Sequence, residues 1–69
     1  MENSNQFEEI QSGETSYRIE EYTDTNSGNV CELFQVLQEG VLVYERDYGS
    51  VGSGEIVEYI EDYVEFVKK

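Results

Sequence analysis

The clearest pattern of apolar and polar positions lies at the C-terminal end of the chain, over residues 53–69. At about 100° per residue, its apolar side chains fall on one half of a helix and its acidic side chains on the other. The apolar half comprises Ile56, Val57, Tyr59, Ile60, Tyr63, Val64, Phe66 and Val67. The pattern predicts an amphipathic helix that lies on a sheet. Ser53 is the predicted N-cap, and Lys68 and Lys69 sit at the negative end of the helix dipole.

Three earlier segments have the aromatic and β-branched composition of β-strands, namely residues 17–23, 30–37 and 41–48. A run of turn-forming residues, 24–29, ends the first of them. Residues 7–11 fit either one helical turn or a short edge strand. The strand is favoured, because a hairpin with the next segment would shield that segment's edge.

The loop between the last two strands determines how they pair. A two-residue loop of Glu39 and Gly40 would need a positive φ at Glu39, so a three-residue loop that includes Gln38 is predicted. The predicted cross-strand pairs are then Leu37 with Val41, Val36 with Leu42, Phe34 with Tyr44, Glu32 with Arg46, and Val30 with Tyr48.

This register assigns the two faces of the sheet. The face predicted to lie under the helix carries Val30, Phe34, Val36, Leu42, Tyr44 and Tyr48. The second face carries Cys31, Leu33, Leu37, Val41 and Val43, mixed with Gln35, Glu45 and Asp47, and is more apolar than an ordinary solvent face. A slip of one residue would exchange the two faces.

The order of these elements predicts an α+β fold. A three-stranded antiparallel β-meander, or a four-stranded one if residues 7–11 add a strand, is covered on one face by one C-terminal α-helix. Residues 1–69 are expected to form a single small acidic domain, with residues 1–6 as a flexible tail.

Charge is the most unusual property of the composition. The chain has 16 acidic residues against four Lys and Arg, which gives a net charge of −12. Six tyrosines and three phenylalanines indicate a folded core rather than disorder. A field this negative repels nucleic acid and anionic lipid and attracts basic protein surfaces.

Several features of the sequence argue for a reducing compartment and a cytoplasmic location. Cys31 is the only cysteine, so no disulfide within the chain forms. The N-terminal residues have neither the basic residues nor the apolar stretch of a secretion signal. No apolar run approaches the roughly 18 residues that suggest a membrane span.

Two loops resemble ligand-binding loops only superficially. Residues 49–54 are rich in glycine and precede a helix, but no Lys follows and Glu55 occupies the first turn, which argues against phosphate binding. Asp24, Asn26 and Gly28 depart from the calcium-loop pattern, whose glycine stands at the sixth position rather than the fifth. Both loops are interpreted as plain connections.

Catalytic chemistry is not predicted. Cys31 stands beside Glu32, whereas a reactive thiol needs a positive neighbourhood. Paired carboxylates would need a concave pocket that separates their pKa values, and so small a sheet-plus-helix fold has little room for one. Histidine is absent and Cys31 is the only cysteine, so the chain lacks the cluster of Cys and His ligands that zinc sites use. We therefore expect no enzyme, no metal site and no cofactor.

The acidic residues of the predicted helix form a regular row. Glu55, Glu58, Asp62 and Glu65 step by three, four and three residues, or about 4.5–6 Å along the axis. Phosphates of duplex DNA recur about every 3.4 Å along each strand, a spacing of similar order. Acids of the sheet are expected to extend the row. The predicted partner-binding residues are Glu55, Glu58, Glu61, Asp62, Glu65, Glu20, Glu21, Asp24, Glu45 and Asp47, with Tyr59 and Phe66 as aromatic anchors.

These features predict a small acidic binding or inhibitor protein that occupies a basic, nucleic-acid-binding site on a larger protein, such as a nuclease. In size, charge and lack of catalytic residues, the chain resembles the small acidic inhibitors that phages and mobile elements use against DNA-binding proteins. The likeness covers no motif. Direct binding to nucleic acid or membrane is not expected.

An alternative function uses the apolar second face of the sheet. Leu33, Leu37, Val41 and Val43 would then form the contact surface of a non-catalytic interaction module or of a homodimer. The first hypothesis favours a monomer, and the second favours a dimer that resists high salt.

Overall fold

The protein folds as a four-stranded antiparallel sheet followed by one helix. The computed structural model describes residues 4–69, with side chains from residue 8 onward. In chain order the elements are β1 (Ser4–Ser12), β2 (Thr15–Thr23), β3 (Val30–Gln38), β4 (Val41–Gly49) and α1 (Ile56–Val67). The strand order β1-β2-β3-β4 is that of a meander. The predicted α+β class is thus confirmed, with the optional fourth strand present.

The bounds of β1 show whether residues 7–11 form a strand or a helical turn, and where the predicted tail ends. Residues 7–11 belong to β1, so the alternative helical turn is wrong. Residues 4–6 already pair with residues 20–22 of β2. The tail prediction is therefore wrong for these three residues, because the hairpin satisfies their backbone groups. The rest of the predicted tail, residues 1–3, lies outside the described residues.

The turn between β3 and β4 differs from the prediction. Glu39 and Gly40 have φ values of 52° and 81°, and Gln38 pairs directly with Val41. The connection is therefore a two-residue turn, whose twist matches that of the flanking strands. A left-handed conformation costs a residue other than glycine about 1–2 kcal/mol. At Glu39 a hydrogen bond from its backbone N to the Glu14 carbonyl, 2.9 Å long, helps to offset that cost.

The shorter turn and two irregularities in the pairing together shift the β3–β4 register. Among the described residues none of the five predicted pairs forms. The observed pairs are Leu37 with Leu42, Val36 with Tyr44, Phe34 with Arg46, and Glu32 with Gly49, with irregularities between Val36 and Leu37 and between Glu32 and Leu33. The predicted Glu32–Arg46 charge pair is therefore wrong.

The core lies between α1 and one face of the sheet. Ile19, Phe34 and Val36 are fully buried there, against Ile56 and Tyr59 of the helix. Partly buried residues that pack against this core are Tyr17, Tyr44, Tyr48, Ile60 and Tyr63. Phe34, Val36, Tyr44 and Tyr48 are thus correctly predicted on the covered face. Val30 and Leu42 are not, because they are 56% and 47% exposed.

The helix begins later than the sequence suggested. Glu55 is the residue at the N-cap and makes no side-chain cap bond, so the prediction of Ser53 is wrong. The connection is instead tied to the sheet, because the Gly54 backbone N donates to Glu32 Oε1 at 3.1 Å and to the Tyr59 hydroxyl at 3.0 Å. The Tyr59 hydroxyl in turn donates to Glu32 Oε1. This small network fixes where the chain enters α1.

Candidate binding surface

Helix α1 carries three parallel rows of side chains, each stepping by three, four and three residues. The sheet-facing row is Ile56, Tyr59, Tyr63 and Phe66; the apolar flank is Val57, Ile60, Val64 and Val67; the acidic row is Glu55, Glu58, Asp62 and Glu65. At 100° per residue, the acidic row and the apolar flank lie on opposite sides of the sheet-facing row, and Glu61 lies between them on the solvent side.

The acidic side chains of the helix are open to solvent. Glu55, Glu58, Glu61, Asp62 and Glu65 are all exposed. Among the described side chains one cation pairs with them, since Lys68 Nζ lies 3.8 Å from Glu65 Oε2. Both partners of that pair are about two-thirds exposed or more, at 67% and 72%, so the pair is weak. The helix acids are thus neither buried nor neutralised.

Two of these carboxylates are held in place by neutral donors. Ser53 Oγ donates to Glu58 Oε1 at 3.0 Å, and Tyr48 Oη donates to Asp62 Oδ2 at 3.1 Å. Burial and the bond to Asp62 raise the pKa of Tyr48 to about 12. Because Tyr48 belongs to β4, the second bond places the acidic row on the side of the helix above that strand.

Three of the predicted sheet acids lie on the other side of the molecule. Successive side chains of a strand point to opposite faces, and Ile19 faces the helix, so Glu20 does not. The same alternation around Phe34 and Tyr44 places Glu45 and Asp47 on the uncovered face. The prediction that these acids extend the helix row is therefore wrong for all three.

The remaining two predicted acids have local surroundings of their own. Glu21 is half-buried on β2, directly opposite Glu32. Asp24 organises the turn after β2, where its carboxylate accepts bonds from the Asn26 backbone N at 3.0 Å and from Ser27 Oγ at 3.1 Å. Asp24 therefore has the turn-forming role predicted for residues 24–29.

A chain of hydrogen bonds crosses the uncovered face of the sheet. Arg18 Nε donates to Gln35 Oε1 at 2.9 Å, and Gln35 Nε2 donates to Glu45 Oε2 at 2.8 Å. Arg18 also lies 3.7 Å from Glu20. This polar row joins three strands, and it explains how Gln35 is only 9% exposed on a face that no helix covers.

Asp47 is also engaged on the uncovered face. Its carboxylate accepts a hydrogen bond from the Tyr22 hydroxyl and another from the Gly49 backbone N, the latter at 2.8 Å. The bond to Asp47 is the main reason that the pKa of Tyr22 lies above its ordinary value. Asp47 is thus fixed against its own sheet.

The two predicted aromatic anchors, Tyr59 and Phe66, differ in their exposure to solvent. Tyr59 is only 3% exposed, so its assignment as a partner-binding anchor is wrong. Its ring stacks on Tyr48 at 3.9 Å between centroids and meets Phe34 edge-on at 5.8 Å. Phe66 is 59% exposed beside the Tyr44 ring, 5.1 Å away, and remains accessible.

The exposure of the apolar flank was not predicted from the sequence. Val57, Val64 and Val67 are 56%, 36% and 54% exposed. A single helix on a sheet buries a stripe roughly 100° wide, whereas the apolar half of α1 spans about 180°. The repeated spacing of three, four and three residues was the available signal. The surface of α1 is therefore apolar on one flank and acidic on the other.

Three further observations on the described part of the chain concern its thiol, metal binding and membrane crossing. Cys31 is a free thiol, 6% exposed. No group of three or more His, Cys, Asp or Glu residues there is arranged to hold a metal ion. Of the described helices, none has the length and apolar character needed to cross a membrane.

Comparison with known proteins gave no match to any family model, curated protein or solved structure.

Proposed function

We propose that this protein binds a basic, nucleic-acid-binding site on a larger protein and inhibits it by occupying that site. The observation that carries the proposal is the acidic face of α1. Glu55, Glu58, Glu61, Asp62 and Glu65 are exposed together, with Lys68 as their one ion-pairing cation among the described residues. The role is stoichiometric occupancy rather than catalysis.

The physical basis of the proposal is electrostatic complementarity. A net charge of −12 on a 69-residue chain attracts a positive site from a distance and raises the association rate. Charges about 4.5–6 Å apart along the helix axis resemble the phosphate spacing of DNA closely enough to meet several Lys or Arg side chains at once. Exposed pairs of this kind weaken as salt is added.

Residues that make the contact form a smaller set than the sequence suggested. The five helix acids contact the partner, and Phe66, which borders their row, packs against an apolar part of the site. Glu20, Glu45 and Asp47, on the uncovered face, add to the field without touching the same partner surface. This division gives the experiment its control.

The test compares the protein with two triple variants, each immobilised and exposed to an extract of its source cell. Glu58→Gln, Glu61→Gln and Glu65→Gln remove three charges from α1. Glu8→Gln, Glu14→Gln and Glu39→Gln remove three exposed charges elsewhere and serve as the control. We expect the native chain and the control to capture a nucleic-acid-binding protein, released by salt and by duplex DNA, and the helix variant to lose it.

Three results would contradict the proposal. These are a complex that resists salt, a captured protein that keeps its full affinity for DNA while bound, and a captured protein that binds the helix variant as well as the control. Each result would show that the carboxylates of α1 do not stand in for phosphates.

A second candidate function is an interaction module that uses the uncovered face of the sheet. The observation that favours it is the exposure of Leu42, at 47%, on that face. Leu37, its cross-strand partner, and Leu33 lie half-buried on the same face. Light scattering after size-exclusion chromatography tests a homodimer formed this way, because an apolar dimer persists at high salt and an acidic monomer stays monomeric.

A further inference from the structure

The outer edge of β4 is an open strand edge. In the strand order β1-β2-β3-β4, β4 is the last strand, and no further strand pairs with it in the described part of the chain. An edge strand presents a row of unpaired N–H and C=O groups that another extended chain can use. The unpaired backbone groups along the edge of β4 therefore favour a ligand in an extended conformation.

The two edges of the sheet differ in character. Val41, Leu42 and Val43 begin β4, and about half or more of each side chain is exposed. On β1 the described side chains run from residue 8 to residue 12, and their one large exposed apolar residue is Ile10, at 36%. The exposed apolar side chains thus adjoin the regularly paired part of β4, whose own residues 44–47 are mostly charged.

β4 has only part of the usual protection of an edge, because it carries charged residues and two irregularities but no Lys and no Pro. Natural edges are commonly guarded by Lys, Pro or bulges, and β4 contains neither Lys nor Pro. Its irregularities fall toward the two ends, so residues 44–47 pair regularly with residues 33–36. The outer side of this four-residue stretch has the geometry that an added strand needs.

The acidic side chains of β4 favour a ligand with basic side chains. Glu45 and Asp47 are exposed on the uncovered face, two residues apart, where Glu45 accepts a bond from Gln35 and Asp47 accepts bonds from Tyr22 and Gly49. Basic side chains at every second position of an added strand would lie opposite these carboxylates and pair with them alongside those bonds. Arg46 points to the helix side, with its guanidinium 4.6 Å from the centre of the Tyr48 ring. A second copy of the chain would bring another net charge of −12, which opposes self-pairing.

We propose that the edge of β4 binds an extended segment of a partner protein as a fifth strand, over residues 44–47, with basic side chains of that segment opposite Glu45 and Asp47. The segment contributes backbone hydrogen bonds for affinity and alternate basic side chains for selectivity. This surface is separate from the acidic row of α1, so the proposal does not rest on the proposed function.

The test uses an end-capped peptide of alternating lysine and valine, followed by backbone amide NMR and hydrogen exchange on the intact protein. Because alternate amides of an edge strand point outward, we expect every second amide of residues 44–47 to shift and to gain about tenfold protection. The same peptide, N-methylated at every backbone nitrogen, keeps its charge but cannot donate hydrogen bonds. Equal protection by that peptide, or shifts centred on α1, would overturn the proposal.

A matched pair of variants separates the edge from general electrostatics. Val43→Lys and Val57→Lys replace valines of similar exposure, 51% and 56%, and change the net charge equally. Strand addition predicts that Val43→Lys weakens peptide binding about tenfold, whereas Val57→Lys leaves it within about twofold, because a lysine guards only the edge that carries it. Equal weakening by both variants would contradict the proposal.

Two further outcomes are informative. Protection of residues 44–47 that rises with protein concentration in the absence of peptide would assign the edge to a second copy of the chain and overturn the proposed ligand. The triple variant of Glu58, Glu61 and Glu65 is expected to keep the peptide-dependent protection. If that variant loses only the capture of the nucleic-acid-binding protein, the two surfaces act separately, and failure of one proposal leaves the other standing.

Discussion

The hydroxyl of Tyr59 offers the sharpest test of how α1 is held on the sheet. Tyr59→Phe keeps the ring that stacks on Tyr48 and meets Phe34. It removes one oxygen, which donates to the Glu32 carboxylate and accepts from the Gly54 backbone N. The substitution therefore isolates a hydrogen-bond network from the aromatic packing around it.

The expected decrease in the free energy of unfolding follows from the two hydrogen bonds of the Tyr59 hydroxyl. A hydrogen bond to a charged group contributes about 1.5–3 kcal/mol. The Gly54 N–H keeps Glu32 Oε1 as an acceptor at 3.1 Å, so its bond to the hydroxyl adds little. We expect Tyr59→Phe to lower the free energy of unfolding by about 2 kcal/mol. In a domain of this size that corresponds to roughly 8–16 °C in the melting temperature.

Urea denaturation followed by circular dichroism measures the change, with Tyr63→Phe as the control. Tyr63 is half-buried against the Tyr17 and Tyr44 rings, and its hydroxyl has no hydrogen bond in the described structure. The control is expected to change stability by less than about 0.5 kcal/mol. Equal losses from both variants would show that the Tyr59 hydroxyl contributes nothing of its own.

A double-mutant cycle identifies the partner of the hydroxyl. If the bond to the charged carboxylate is responsible, Tyr59→Phe costs clearly less in a Glu32→Gln background than in the native chain, by about 1 kcal/mol. An unchanged cost in that background would refute the assignment of Glu32 as the partner.

Three further predictions concern the same helix and its connection. Gly52→Ala is expected to cost about 1–3 kcal/mol in urea denaturation, because an added Cβ would lie 2.5 Å from Glu32 Oε1 and closer still to the Tyr59 hydroxyl; unchanged stability would contradict this packing. Glu61→Gln should stabilise the protein by about 0.5 kcal/mol at low salt and by less at high salt, since it relieves repulsion from acids one turn away on either side; destabilisation would argue against exposed, unneutralised helix acids. The pKa of Tyr48 is raised from 10.0 to about 12, so its contribution is complete below pH 10 and is lost between about pH 10 and 12. Thermal melts across that range, with tyrosinate absorbance followed in parallel, should show falling stability, and a flat profile would contradict it.

The element types were predictable because strong local signals agree with the final packing. Turn residues separate the strands, and the apolar spacing of residues 56–67 is helical. The register was not predictable from propensity, because it depends on one unfavourable conformation in the turn and on two irregularities in the pairing. Glu39 adopts a positive φ that the pattern argued against, in a turn where its backbone N bonds to Glu14 across the sheet. Tertiary context outweighed the local cost, and every β3–β4 pair moved.

The candidate site was predictable in its charge and only partly in its geometry. Carboxylates without neighbouring cations have no reason to enter the core, so the exposure of the helix acids follows from composition. Tyr59 was misplaced because a helical projection gives angles and not the position of the sheet beneath them. The exposed valines were misplaced for the same reason. Glu20, Glu45 and Asp47 could be assigned to a face only after the register was known.

Because the rows on α1 are separate, its outer side chains can be substituted without changing the side chains that hold the helix on the sheet. Ile56, Tyr59 and Tyr63 anchor the helix, whereas the acidic row and the valine flank contribute little to that anchoring. Substitutions on those outer positions can therefore change which proteins are recognised while the scaffold survives. A library restricted to these positions, displayed on the unaltered sheet, would sample new specificities from one small scaffold.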